Sequence, residues 1–441
     1  MLMLVDMAFD KTRLALELPE GFRYQILEAR SAEPLADWEA AIGAALDAPI
    51  GCPPLAELAR GKRTAAISVC DITRPAPNPK TLPLVLERLE QAGIERGNIT
   101  ILIATGLHRG ATEAEIGQIC GETVAGSYRV VNHDARNLGS HRHLGVTTSG
   151  TPVYIDERFL AADLHITLGF IEPHLMLGFS GGRKLIAPGL AAQETIKVLH
   201  SPKFMRDARA VEGSTEENPL HRELLEIARL ARHDFILDVA LARDRSIAAV
   251  FAGDAELAHR RGVECVSKTL LETLDEPVDA AITSGAGYPL DLTFYQVIKG
   301  VTAAAPIVKP GGRILVIGAC AEGAGAPEFR QMLLAGLNDT AFLEQIASAP
   351  VVVDQWQLEK LALVTTERQL LYYVPGLAAE YQGKLWGRCF ATPETAVAAL
   401  LEGLPREARV AVIPEGPYVL ASCGGAGASA CQHFEPEAAL R

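Results

Sequence analysis

The 441 residues contain no CxxC pair, no GxGxxG turn, no Walker A loop and no apolar run long enough to cross a membrane. The eight cysteines, at 52, 70, 120, 265, 320, 389, 423 and 431, are scattered. That scatter lacks the paired spacing of a zinc or iron–sulfur site and reads as reduced thiols in a cytoplasmic protein. No secretory signal is visible, since "MLMLVDMAFDK" brings in Asp6 and Asp10 at once. The net charge of −13 withholds the basic surface that a phosphate backbone demands, so nucleic acid is excluded as the main partner. Neither a membrane nor an internal repeat organises the chain. An anionic substrate must then find a locally basic site against the overall field.

What remains is a globular composition, 49% hydrophobic and 22% charged, at a length that suits two domains. From about residue 64, short apolar runs alternate with amphipathic stretches. "TAAISVC", "NITILIATG", "SYRVVN" and "DLHITLGF" read as strands, while "PLVLERLEQAGI" and "TEAEIGQICG" read as helices. Thr112 and Glu115 stand at capping-box spacing. A second series starts with "VDAAITSG" and runs through "FYQVIKGVTAA", "GGRILVIG" and "PEFRQMLLAGL". The pattern predicts two α/β domains with mostly parallel sheets. The expected limits are 1–270 and 277–404, with the acidic "LLETLDEPVD" as linker. The tail, about 405–441, is expected to be loose or to pack back on the first domain.

Polar residues gather just after the predicted strands. "SVC" runs into Asp71, Thr73 and Arg74, "ILIATG" into His108 and Arg109, and "HITLGF" into Glu172 and His174. In open α/β sheets ligands bind beyond the strand carboxyl ends, so these groups are expected to share one site. Two imidazoles there form an acid/base pair, and placed on opposite faces of a chiral carbon they allow inversion. Arg74 suits a carboxylate. The stretch "HLMLGFSGGRKLIAPG" (174–189) then places Arg183 and Lys184 within a glycine-rich apolar segment. It is not a phosphate loop, because Arg183 separates Gly182 from Lys184 and Leu185 follows. His200 reads as a metal ligand, a third base or a structural residue. In the second series Tyr295 and Lys299 share a helix face. "VKPGGRILVIG" has glycines at 318, 323 and 325 after it, the wrong spacing for a dinucleotide fingerprint.

Taken in order, "DITRP", "TGLHRG", "VNHD", "EPH…GFSGGRKLIAPG", His200, "YQVIKG" and "DQW" (354–356) resemble the nickel-dependent lactate racemase family. The resemblance spans about 60 to 360 and implies that the active site lies in the cleft between the two α/β domains. It implies a nickel pincer nucleotide (pyridinium-3-thioamide-5-thiocarboxylic acid mononucleotide nickel) tethered through a thioamide to Lys184, with His200 as the protein's nickel ligand. It further implies that His108 and His174 are the two acid/base residues of a 2-hydroxy acid racemase working by proton-coupled hydride transfer. Arg74, Tyr295, Gln296 and Lys299 would hold the substrate. Asp71 and Thr73 would position Arg74 or cofactor groups, and Trp356 would pack near the pyridinium ring. Gly181 and Gly182 would let the backbone approach the cofactor. Other proteins must make that cofactor and are implied as transient partners.

Lactate is the default substrate, with malate, longer aliphatic or aromatic 2-hydroxy acids and sugar acids as alternatives. An extra cation, Arg109 or Arg183, would favour a dicarboxylate. Two readings from other classes are an NAD- or S-adenosylmethionine-dependent α/β enzyme with its site near "GGRILVIG", and a non-catalytic carrier of the nickel cofactor.

Overall fold

A computed structural model describes residues 3–28 and 32–424. The chain divides into two compact units, one formed by 31–269 and the other by 1–30 together with 270–441. Both are α/β with mostly parallel sheets, as the alternating pattern predicts.

In the 31–269 unit, six strands lie side by side in the order Ile247–Gly253, Phe235–Leu241, Leu164–Phe170, Ala65–Cys70, Ile99–Ala104, Arg129–Asn132. All neighbours are parallel except the outer pair 235–241/247–253. Ala65–Cys70 and Leu164–Phe170 are buried along their whole length. That is why they read as unbroken apolar runs: both faces of a parallel sheet are covered. Helix Asn78–Gln91 buries Leu82, Val85, Leu86 and Leu89 in the same core as Ile67, Val69, Ile101 and Leu168. Helix Glu113–Cys120 starts with the expected capping box: Thr112 Oγ1 accepts from the Glu115 N–H, and Glu115 Oε2 from the Thr112 N–H.

Ala65–Cys70 is flanked by the next strand, Ile99–Ala104, on one side and by Leu164–Phe170 on the other. This reversal of strand order opens a crevice at the carboxyl ends. Register places Cys70 beside Ala104, so Asp71 and Thr105 leave the sheet together.

The second unit carries a fully parallel sheet: Arg388–Cys389, Gln369–Tyr373, Val308–Ile317, Val278–Ser284, Arg409–Ile413, Arg23–Ile26. Its make-up differs from the expected limits in three ways. Residues 3–28 belong here and not to the first domain. Their hairpin, Met3–Phe9 with Thr12–Leu18, buries Val5, Met7, Leu16 and Leu18 against Ile282, Leu315 and Val410, and Arg23–Ile26 adds an edge strand. The expected linker contains a strand, Leu271–Leu274, which pairs in parallel with Leu420–Cys423. Residues 409–423 are accordingly integral to this unit instead of packing back on the first. The rest of the expected tail, from 425, lies outside the described residues.

Glycines in this second unit serve close packing. A Cβ on Gly300 would stand 2.2 Å from the Ser284 carbonyl oxygen, and one on Gly318 would stand 2.4 Å from Val297 Cγ2. Helix Phe294–Ala304 therefore sits directly against the strand ends.

Candidate active site

Asp71 is the first residue beyond Ala65–Cys70, and its carboxylate is buried. Oδ2 lies 2.6 Å from His108 Nδ1, while Oδ1 accepts the Thr73 hydroxyl at 2.6 Å. Burial alone would raise this carboxyl, but the bonds from His108 and Thr73 and the charge of Arg74 outweigh it and hold Asp71 below the ordinary value. The His108 Nδ1–H is thus committed to Asp71, leaving the Nε2 lone pair as the basic position of the neutral ring. The His108 side chain is 44% exposed, so a small molecule can reach it. Asp71 was expected to serve Arg74 or the cofactor; its carboxylate bonds to His108 and Thr73, and the Arg74 charge acts on it as well.

His174 sits in a small hairpin where Pro173 pairs with Phe179 and His174 with Gly178. Its Nδ1 accepts a long hydrogen bond from the Met176 N–H at 3.4 Å. A neutral ring in that arrangement carries its proton on Nε2.

Lys184 lies in a short 3₁₀ turn, Gly182–Leu185, and remains partly accessible although protein surrounds it. Burial, and then the Arg74 charge, pull its amine down to about 7; Cys70, Glu172 and Asp71 act weakly the other way. A neutral amine is therefore well populated at neutral pH. These influences place Lys184 among Cys70, Asp71 and Arg74. The Lys184 charge also acts on His200, which burial holds down to about 4. His200 Nδ1 donates to the Ile196 carbonyl at 2.8 Å, which fixes the tautomer with its lone pair on Nε2. Asp71, Thr73, Arg74, His108, Lys184 and His200 are thus brought together by bonds and mutual charge effects within one unit.

Protein groups surround several of the expected site residues. The space beside Gly181 and Gly182 is filled by protein: a Cβ on Gly181 would stand 2.5 Å from Asp238 Oδ2, and one on Gly182 3.2 Å from the His259 ring. Their positive φ angles, 85° and 45°, shape the turn. Arg183 is 1% exposed, turned into the core, and is not available to a substrate. Arg109 is exposed and held in a two-pronged pair with Glu115 at 2.6 and 2.7 Å, at the head of its helix. Neither supplies the extra cation considered for a dicarboxylate.

The sequence reading missed Asp238 and His259. Asp238 accepts the Gly182 N–H at 2.8 Å, and an aspartate inside the apolar run "FILDVAL" was the available signal. His133 of "VNHD" places its two ring nitrogens 3.1 Å from Asp156 Oδ2 and 3.1 Å from the Ala191 carbonyl, bracing the backbone beyond Lys184.

In the other unit, Tyr295, Gln296 and Lys299 lie on helix Phe294–Ala304 and are partly buried. Trp356 heads helix Gln355–Thr365, and its indole N–H donates to the Tyr295 hydroxyl at 3.0 Å. The Tyr295 ring also packs edge-on against Phe329.

Comparison with known proteins now decides the family. Residues 9–213 match the lactate racemase N-terminal domain and 274–421 the lactate racemase C-terminal domain. The chain is 34% identical to a lactate racemase of Thermoanaerobacterium thermosaccharolyticum, covering 94% of this chain and 98% of that protein. The chain belongs to the lactate racemase family. A lactate racemase of Lactiplantibacillus plantarum is 32% identical, covering 94% and 99%. The solved apoprotein from T. thermosaccharolyticum superimposes with a TM-score of 0.88 at 32% identity, over 95% of this chain and all of that one. A Thermotoga maritima protein at 16% identity shares the fold alone, with a TM-score of 0.65. Membership of the lactate racemase family makes the chain an enzyme of the isomerase class. Among the described residues no helix is long and apolar enough to cross a membrane.

Proposed function

We infer that the protein interconverts the enantiomers of lactate, or of a closely related 2-hydroxy acid, with a nickel pincer nucleotide attached to Lys184. The observation that carries this reading is the pairing of a lysine amine held near neutrality with a histidine whose Nδ1–H is already spent. The first suits an acylated or thioacylated amine, and the second presents an imidazole lone pair to a metal. Among the described residues no group of three or more His, Cys, Asp or Glu is arranged to hold a metal. The metal would be held chiefly by the organic group, with His200 as its single protein ligand. When bound, the group supplies the acceptor and donor for the C2 hydride.

The protein's own residues handle protons and orientation. Arg74 binds the substrate carboxylate. In the other unit, the Tyr295 oxygen accepts from the Trp356 indole N–H, which orients the hydroxyl. His108 Nε2 takes the hydroxyl proton as C2 loses hydride, and Asp71 stabilises the imidazolium that forms. This coupling matters because removing a proton from C2 would pile negative charge beside the carboxylate. His174 enters this step as the imidazolium, returns a proton from Nε2 to the oxygen once the planar 2-oxo acid presents its other face, and is left neutral. The two histidines thus exchange protonation states over one turnover, and the reverse reaction uses them in the opposite roles.

With Arg109 and Arg183 both engaged elsewhere, a monocarboxylate such as lactate is favoured over malate. Cofactor-making proteins are required as transient partners, and the free thiols and acidic balance support a cytoplasmic location. The test is chiral analysis of lactate after incubation with protein co-produced with the cofactor machinery. Either enantiomer should run to the racemic mixture, and separate His108→Ala and His174→Ala proteins should fail while keeping their cofactor. A loaded parent that racemises nothing would leave a cofactor carrier, and wild-type rates in both variants would remove the two histidines from the mechanism.

A further inference from the structure

Arg183 immediately precedes Lys184 and is the bulkiest fully buried side chain among the described residues. A guanidinium keeps its charge at physiological pH, so burying one is costly unless its donors are used. Both Nη groups are used, chiefly on the backbone, while the Nε–H is buried without a partner. Nη2 donates to the Leu177 carbonyl at 3.2 Å and to the Phe179 carbonyl at 2.9 Å. Nη1 faces the carbonyls of Ser180 and Gly181 at 3.4 and 3.3 Å, and His259 Nε2 at 2.8 Å.

Those four carbonyls belong to the stretch that joins the His174 hairpin to the Lys184 turn. An irregular buried segment cannot satisfy its own backbone groups, and here side chains do it. Asn218 Nδ2 donates to the Met176 carbonyl at 3.0 Å, the Ser180 hydroxyl bridges to the Phe170 carbonyl at 2.9 Å, and Asp238 takes the Gly182 N–H. His108 is held differently, through Asp71 and through the Gly106 N–H to the Gly189 carbonyl at 3.0 Å.

We propose that Arg183 is a positioning residue: by capping the carbonyls of 177–181 with one planar fork, it locks His174 and Lys184 into a single frame. Lysine cannot substitute, because a point charge on a flexible stem does not span four carbonyls in fixed directions. The proposal rests on the reading of His174 and Lys184 as functional residues, yet its main test needs no cofactor.

The test uses full-length, cofactor-free protein carrying Arg183→Lys, with Arg183→Gln as the second variant. Two quantities are read, deuterium uptake by peptide and the pH midpoint of Lys184 acetylation by acetic anhydride. Uptake should rise about tenfold or more across 172–184 and stay unchanged across 65–70 and 99–108. The acetylation midpoint should climb by about one pH unit or more as the amine gains water. In protein bearing the cofactor, kcat should fall about a hundredfold with KM changed much less. A folded variant with parental uptake and midpoint overturns the proposal. So does uptake rising evenly through the whole sheet, or loss of folding in both variants, since either makes Arg183 a general stabiliser. A parent that never acquires an adduct would instead remove the cofactor reading and leave the exchange and labelling results standing.

Discussion

His108 Nδ1 and Asp71 Oδ2 lie 2.6 Å apart although 37 residues separate them in the chain. The contact arises because Cys70 and Ala104 are register partners in adjacent parallel strands, so the residues just beyond them leave the sheet on the same edge. A carboxylate on Nδ1 fixes the tautomer and stabilises the charged ring during proton transfer. An asparagine there can turn its amide N–H toward Nδ1 and select the wrong tautomer. Asp71→Asn should therefore lower kcat by about 10²–10⁴-fold while KM changes little, as carboxylate–histidine pairs do elsewhere. Steady-state rates for both enantiomers check this, and a near-parental kcat would remove Asp71 from the mechanism.

Lys184 makes stability depend on pH with a definite sign. Its amine is pulled down to about 7 in the folded protein, against about 10.4 for an exposed lysine. Between those values the unfolded chain binds more protons, so stability rises with pH across that window, and below about 7 the whole cost of the buried ammonium is present. Cofactor-free Lys184→Met should be more stable than the parent near about pH 6, with the advantage shrinking toward about pH 9–10. Urea unfolding at a series of pH values measures the difference; two parallel curves would contradict it.

Arg109 belongs to the helix cap in this structure and not to the substrate site. Arg109→Ala should leave kcat/KM within about threefold of the parent, as an exposed ion pair contributes little. Thr112→Ala, which removes the hydroxyl accepting the Glu115 N–H, should cost about 1 kcal/mol of stability with activity retained. A large loss of activity in Arg109→Ala with unchanged melting would return that guanidinium to the substrate.

Trp356 acts on Tyr295 through one hydrogen bond. Trp356→Phe keeps an aromatic ring and deletes only the indole donor, so the hydroxyl loses its 3.0 Å partner. KM should rise about two- to tenfold, the worth of one such bond, with far-UV dichroism unchanged. An unaltered KM would mean that the tyrosine needs no help to hold its orientation.

Much of this was legible from local pattern. The strands and helices from 64 to 334, the capping box at Thr112 and the gathering of polar residues beyond strand ends all follow from periodicity and turn chemistry. Long-range pairing was not. The alternation in "MLVDMAF" and "TRLALEL" announces a hairpin, but nothing local says that Arg23–Ile26 pairs with Arg409–Val412 across most of the chain. "LLETL" read as linker for the same reason, since its strand exists only through Leu420–Cys423. The site shows the same division. His108, His174, Lys184 and His200 were visible as unusual residues in ordered motifs. Their supports were not: Asp71 was assigned to a neighbour in sequence and not to one across the sheet, and the glycines at 181 and 182 make room for Asp238 and His259, which come from distant segments.

The most direct test is intact-protein mass spectrometry with nickel analysis, after co-production with the cofactor-making proteins. The account predicts a nickel-bearing adduct of nucleotide mass on the parent chain and its absence in Lys184→Ala. A parent chain of unmodified mass and without nickel, from a host in which a control lactate racemase is loaded, would contradict it.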